Sequence, residues 1–461
     1  MPDRTFSLAR HRWAELDEAG RRTALARPEA SQRASLAAEV AEIIMAVRRD
    51  GDAALLRFAE RFDGVRLDAL RVPAAAFDAA EAMLEPAQCE ALRTAIANVR
   101  SFHAAQQAAP VAVETMPGVH CRRVTRPIRA VGLYVPAGSA PLPSTVIMLA
   151  VPARLAGCPR RVLCTPPQSD GRADPAVLTA ARYCGIEEVY LAGGAQAIAA
   201  MAYGTATVPA VDKIFGPGNA WVTEAKLQVS RDPDGAALDL PAGPSEVLVI
   251  ADHRADAGFV AADLLSQAEH GPDSQVLLVT TSSALADGVE AAIARQLPLL
   301  GRDAVARQAL AHARVLIAAD LEEAFAISNR YAPEHLILQL PEAEQWLDRI
   351  DAAGSVFLGD WTPESLGDYC SGTNHVLPTY GYARAWSGLG LADFQLAITV
   401  QQATPDGFRR IGPVAHTLAG LEGLDAHALA VRLRLEALGA PLPASAGAPR
   451  TTSASAGKAG R

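Results

Sequence analysis

Gln267 and His270 stand three residues apart in Leu264-Leu265-Ser266-Gln267-Ala268-Glu269-His270-Gly271-Pro272. Side chains at i and i+3 share one helical face, so both can point at one target. Gly271 and Pro272 then stop the helix. An amide oxygen and an imidazole at the negative end of a helix dipole suit a bound cation. They make half of a metal site, and the rest has to come from elsewhere in the chain.

Tyr331-Ala332-Pro333-Glu334-His335 offers a carboxylate beside an imidazole. Pro333 ends a helical run, so the pair falls on a turn entering a strand, where both side chains can reach one cavity. A strand at 355–358 is followed by some twenty irregular residues that contain Asp360, Glu364, Asp368, Asn374 and His375. Irregular segments of that length after a strand are usually functional. Asp360 or Asp368 can supply a hard oxygen ligand, and each can equally be a turn residue. A fourth cluster, Glu422-Gly423-Leu424-Asp425-Ala426-His427, reads as the start of a helix over 426–438, with Asp425 as its cap and His427 in its first turn.

No CxxC or HExxH marks a zinc site, although glutamine, histidine and aspartate donors are chemically compatible with one. A GxGxxG fingerprint is also missing. Phe215-Gly216-Pro217-Gly218-Asn219 comes nearest, and Gly193-Gly194, between a strand and a helix, can cradle phosphates or form a tight turn.

The elements that must carry these residues follow an alternating pattern. Residues 1–30 read as polar and helical, and 35–62 and 84–107 as longer helices. Strand and helix patterns then alternate from 130 to 203 and again from 245 to 339, which argues two α/β units with parallel sheets. Residues 389–438 read as mostly helical, and 440–461, rich in Ala, Gly, Ser and Pro, as disordered.

The chain has 461 residues, half of them hydrophobic, and a net charge of −9. More than one domain is expected at this length, and the acidic balance disfavours nucleic acid or an acidic membrane as partner. No apolar run of membrane-spanning length or signal-peptide order is visible, so the cytoplasm is the expected location. The six cysteines show no short regular spacing and read as small buried residues of a reducing compartment.

Several of these motifs, in order, resemble the histidinol dehydrogenase family. They are Gly216-Pro217-Gly218-Asn219, Ala242-Gly243-Pro244-Ser245-Glu246, the segments 266–273 and 331–335, Gly354-Ser355 through Gly367-Asp368-Tyr369, and Ser371 to Pro378. The resemblance covers roughly residues 30–438. It implies an α/β fold of two incomplete Rossmann-like domains with parallel-sheet cores, plus small helical terminal pieces. Residues 31–132 and 240–388 would form the first domain, with most metal and catalytic residues, and 133–239 the second, on the NAD side. Residues 1–30 would be a helical segment, 389–438 a helical segment reaching the partner subunit, and 439–461 a disordered tail.

The resemblance also implies a reaction: zinc-dependent oxidation of L-histidinol to L-histidine with two NAD+, through a bound aldehyde, at the end of histidine biosynthesis. By the family pattern Gln267, His270, Asp368 and His427 would hold one zinc per subunit, and Glu334 and His335 would be the acid/base residues. Ser245, His375 and Glu422 would contact substrate together with the metal ligands and His335. Tyr134, Gln196 and Asn219 would contact NAD. The expected assembly is a homodimer in which Glu422 and His427 are supplied in trans. The alternatives are a related zinc- and NAD-dependent dehydrogenase of another small polyol, such as sulfopropanediol, and a catalytically silent metal-binding protein. His375 and Glu422 favour histidinol over the first, and the Glu334-His335 pair argues against the second.

Overall fold

In Ala130-Val131-Gly132-Leu133-Tyr134, β-branched and large apolar residues alternate with no polar face, the pattern of a strand buried on both sides. A computed structural model of the chain describes residues 7–27, 33–137, 141–241 and 243–441. Its strands in chain order are β1 (Ala9–Arg12), β2 (Val111–Met116), β3 (Val119–Pro127), β4 (Ala130–Tyr134) and β5 (Arg160–Thr165). Next come β6 (Glu188–Leu191), β7 (Lys213–Phe215), β8 (Ala237–Leu238), β9 (Glu246–Ala251) and β10 (Gln275–Thr280). The last are β11 (Arg314–Ile317), β12 (His335–Gln339), β13 (Ser355–Leu358) and β14 (Gln395–Ala403).

The chain divides into two compact units, one formed by residues up to 107 with 127–395, the other by 108–126 with the residues from 396 onward. The first unit contains two parallel sheets. One has the order β6-β5-β4-β7-β8 and the other β1-β11-β10-β9-β12-β13. In the five-stranded sheet Val131, Leu133 and Leu163 pack into one core, and Tyr134, Val162 and Cys164 into the core on the opposite face. The six-stranded sheet repeats this, with Val247 and Val249 on one side and Leu248 and Ile250 on the other. Full burial of each such side chain contributes roughly 1.5–3 kcal/mol, so two-sided burial is what holds these short strands in place.

The structure departs from the sequence expectations in three places. The first 30 residues are not all helical: β1 pairs in parallel with β11 at the sheet edge before the helix Glu18–Ala24. An edge strand of mostly exposed polar residues carries no hydrophobic alternation to announce it. Secondly, the helices within 33–104 pack with the five-stranded sheet rather than with the six-stranded one, because Val40, Ile43, Phe77, Ala95 and Val99 belong to its two cores. Thirdly, the segment 389–438 is mostly helical as expected but also carries a strand the sequence did not announce, β14, which joins β3 and β2 in a three-stranded sheet.

The second unit combines that sheet with the helices Pro405–Leu421 and Asp425–Ala437. Asp425 is the first helical residue, and Leu424 takes the cap position. Among the described residues of this unit the buried hydrophobic side chains are Val119, Ala419 and Leu435. Leu396, Ile398, Val414, Leu418, Leu421, Leu429 and Leu433 stay exposed. The tail expected over 439–461 lies outside the described residues from 442 onward.

Candidate active site

The amino edge of the six-stranded sheet gathers the acid/base residues. Glu246, His335 and Ser355 are the first residues of three adjacent strands, with His335 opposite Val247 on one side and Ser355 on the other. The helix Ala257–Ala268 returns after β9 to this edge and ends at Ala268, so His270 lies two residues beyond it instead of on its last turn. A bond from His270 N to Gln267 O at 3.3 Å keeps the two close. The short helix Glu364–Tyr369 after β13 brings in Glu364 and Asp368.

His335 is fixed by its backbone-facing nitrogen. Nδ1 donates to the Glu246 carbonyl at 3.0 Å. Nε2 is buried with no hydrogen-bond partner among the described residues, and Asp368 Oδ1 stands 3.6 Å away. Glu334 Oε2 accepts from Glu246 N at 2.8 Å. Glu364 Oε1 lies 3.5 Å from His335 Nδ1 and is itself almost fully buried. His375 is held at both ring nitrogens, Nδ1 donating to the Asp368 carbonyl at 2.8 Å and Nε2 facing the Thr145 hydroxyl at 3.3 Å.

Two buried carboxylates, Glu334 and Glu364, and the partly buried Asp368 surround one imidazole and set the local charge balance. Burial pushes Glu334 up to about 8, against the opposing pull of His335. Burial likewise raises Glu364 well above the usual carboxylate range. Burial alone would depress His335, but Glu364, Glu334 and Asp368 outweigh it and hold the imidazolium well above its ordinary value. Asp368 is raised by burial and lowered more by His335, His375 and His270, so it remains an anion. His270 and His375 are both lowered by burial and available as neutral imidazoles.

One atom each of His270, Glu364 and Asp368 falls within 4.8 Å of the others, close enough to share one cation. Gln267 is fully buried beside them. With its amide nitrogen toward Glu364 it donates to that carboxylate at 2.6 Å, which leaves its oxygen as the donor atom for a cation. Nitrogen and oxygen donors of this mixture fit zinc. Glu364 was not among the expected ligands, and only its burial distinguishes it from an ordinary loop glutamate. The remaining expected ligand, His427, is exposed in the second unit, as is Glu422.

Glu334, His335, Ser245, His270, Asp368 and His375 line one cavity of about 410 Å³. A second cavity, of about 630 Å³, is lined by Tyr134, Gln196, Asn219 and Gly194. Tyr134 ends β4, Gly193-Gly194 follow β6 and Asn219 follows β7, so this cavity opens at the carboxyl edge of the five-stranded sheet, where strand order reverses between β4 and β7. Dinucleotides bind at such reversal points in open α/β sheets. Gly194 N begins the helix Gly194–Tyr203 and donates to the Tyr134 hydroxyl at 3.0 Å. Gly216 is obligatory in the adjoining loop: its φ is 127°, and a Cβ there would come within 2.1 Å of the Tyr134 carbonyl oxygen. Asp63 was not anticipated. It lines this cavity with one buried oxygen that has no partner among the described residues, and burial raises its carboxyl to about 6.

Pro136, Leu142, Asn219 and His270 line both cavities, so the two are contiguous. None of the six free cysteines is among the residues that line either cavity, and burial pushes Cys158 to about 11 and Cys164 and Cys184 to about 12.

A nucleotide-sized cavity at a sheet reversal point, joined to a buried acid/base cavity, is the arrangement of an NAD-dependent oxidoreductase. The histidinol dehydrogenase family model matches residues 25–435. The chain is 58% identical over 426 residues to histidinol dehydrogenase of Vibrio cholerae, covering 92% of this chain and 98% of that one. It is 59% identical over 423 residues to that of Xanthomonas axonopodis, at the same coverages. The crystal structure of histidinol dehydrogenase from Elizabethkingia anophelis superposes with a TM-score of 0.90 at 44% identity, covering 95% of this chain and all of the other. The chain belongs to the histidinol dehydrogenase family.

Proposed function

We propose that the chain oxidises L-histidinol to L-histidine in two successive hydride transfers to NAD+, with Glu334 and His335 moving the protons. The observation that carries this reading is the wall shared by the two cavities, which lets a hydride donor beside His335 face a nicotinamide entering past Asn219. Relatives of 58% and 59% identity named for histidinol favour this substrate over sulfopropanediol.

Gln267, His270 and Asp368, with His427 of the partner subunit, would hold the zinc, and Ser245, His375 and Glu422 of the partner subunit would contact the substrate. Zinc, when bound, supplies a Lewis-acidic anchor for the substrate's amine and imidazole nitrogens. His335 would serve as base through Nε2, its ring held in place by the bond from Nδ1 to the Glu246 carbonyl. His335 Nε2 then takes the carbinol proton as the first hydride leaves for NAD+. Glu334 takes a proton from the water that adds to the aldehyde, and a second NAD+ accepts the next hydride. A buried site retains the aldehyde between the steps.

On the cofactor side, Tyr134 and Gln196 would flank the dinucleotide, and the positive end of the helix that begins at Gly194 suits its pyrophosphate. Asp63, with its unpartnered oxygen, would accept from a ribose hydroxyl. The exposed apolar side chains of the second unit, set against its sparse core, support a homodimer in which that unit gains its burial from a partner. Free thiols throughout, and no helix among the described residues long and apolar enough to cross a membrane, fit a cytoplasmic location. Mass analysis of the products from L-histidinol, counting NADH formed per histidinol consumed, tests the reaction. A count of one with aldehyde released would contradict it.

A further inference from the structure

Glu246 is 1% exposed and lines neither cavity, yet its main chain holds both members of the acid/base pair. Its N–H donates to Glu334 Oε2 at 2.8 Å and its carbonyl accepts from His335 Nδ1 at 3.0 Å. These two bonds use the first peptide groups of β9, at the end of the strand where the ladder gives out. The side chain supplies the missing restraint. Its carboxylate accepts from Arg27 Nε and from Arg27 Nη2, the latter at 2.8 Å, and Oε1 also accepts from Tyr380 N at 2.9 Å.

Arg27 is fixed in turn. Nη2 donates to the Tyr331 carbonyl at 3.0 Å, and the guanidinium lies over the Tyr331 ring, 4.0 Å from its centroid. Tyr331 is the last residue of the helix that leads into Glu334. The fork therefore ties the start of β9 to the segment that delivers the catalytic pair. Removing two charges from water is costly, and a well-packed apolar pair often serves stability as well or better. What an apolar pair cannot do is set a backbone carbonyl and N–H in fixed directions from both sides.

We propose that Arg27 and Glu246 are positioning residues for catalysis, orienting Glu334 and His335 through the Glu246 main chain without touching substrate or cofactor. This rests on the reading of Glu334 and His335 as the acid/base pair. A bidentate guanidinium–carboxylate fork is hard to replace by lysine, and small losses of orientation cost large factors in rate.

The test uses the full-length, zinc-loaded chain with Arg27→Ala, Arg27→Lys and Glu246→Gln, alongside Glu334→Gln and His335→Asn. All three positioning variants are expected to lose about ten- to hundredfold in kcat for both oxidations. KM for L-histidinol and NAD+ should stay within about threefold, with zinc content unchanged. Added methylguanidinium should restore turnover to Arg27→Ala and leave Glu246→Gln as it was. If Arg27→Ala does not fold, Arg27→Lys decides, because it keeps the charge and loses the fork. Folded variants with wild-type kcat, or losses that only follow the folded fraction and show no rescue, would overturn the proposal. Retained turnover in Glu334→Gln and His335→Asn would instead overturn the catalytic reading beneath it.

Discussion

Glu334→Gln should separate the two oxidations and at the same time make the folded chain more tolerant of alkali. Burial holds Glu334 at about 8 against an ordinary 4.5, a rise of between three and four units. At 1.36 kcal/mol per unit, ionising this carboxyl in the folded protein costs about 5 kcal/mol more than in the unfolded chain. Because the folded value is the higher one, the contribution to stability is fully present below about pH 4.5 and is lost as pH rises through 8. Glutamine keeps an acceptor for the Glu246 N–H and does not titrate. In denaturant titrations of the metal-free proteins, the variant should match wild type at about pH 4 and lead it by up to about 5 kcal/mol at pH 9. In single-turnover assays with zinc restored, the first NADH should form and the second should fall by a hundredfold or more, since glutamine cannot activate water. A stability difference constant across pH would refute the buried-acid argument. A full second hydride transfer would refute the role of Glu334.

His335→Asn should impair both oxidations by a hundredfold or more, because the same nitrogen serves as base in the first and assists the second; stopped-flow NADH traces would reveal a variant that lost only one phase. Asp63→Asn should raise KM for NAD+ about tenfold while leaving zinc content and KM for L-histidinol alone, and unchanged NAD+ kinetics would remove Asp63 from the cofactor site. Gln267→Ala and His427→Ala should each be inactive, while the two mixed under proven subunit exchange should recover about a quarter of wild-type turnover, since half the dimers regain one of two sites. No recovery would mean that the metal ligands come from one chain.

Residues that chemistry makes distinctive within a short motif were legible in the sequence. Gln267, His270, Glu334, His335 and Asp368 lie in segments whose spacing or composition pointed to a site, and in the structure they meet at one sheet edge. Most strands of the two parallel sheets were legible for a similar reason, because burial on both faces leaves a continuous apolar run; the exposed edge strand β1 and the two- and three-residue strands β8 and β7 were not. What was hidden depends on distance and burial. Arg27 lies 219 residues from Glu246, and no local pattern says that the two charges are buried together. Glu364 and Asp63 resemble ordinary surface acids until their surroundings are known. β2 and β14, exposed along most of their length, carry no alternation, since neither face is pressed against a core.

The most direct test of the whole account is the NADH yield of the purified chain with limiting L-histidinol, taken before chelation, after it, and after zinc is returned. The account predicts two NADH and one histidine per histidinol, no turnover once the metal is stripped, and recovery with zinc. Full turnover by the stripped protein, or a preference for sulfopropanediol over histidinol, would contradict it.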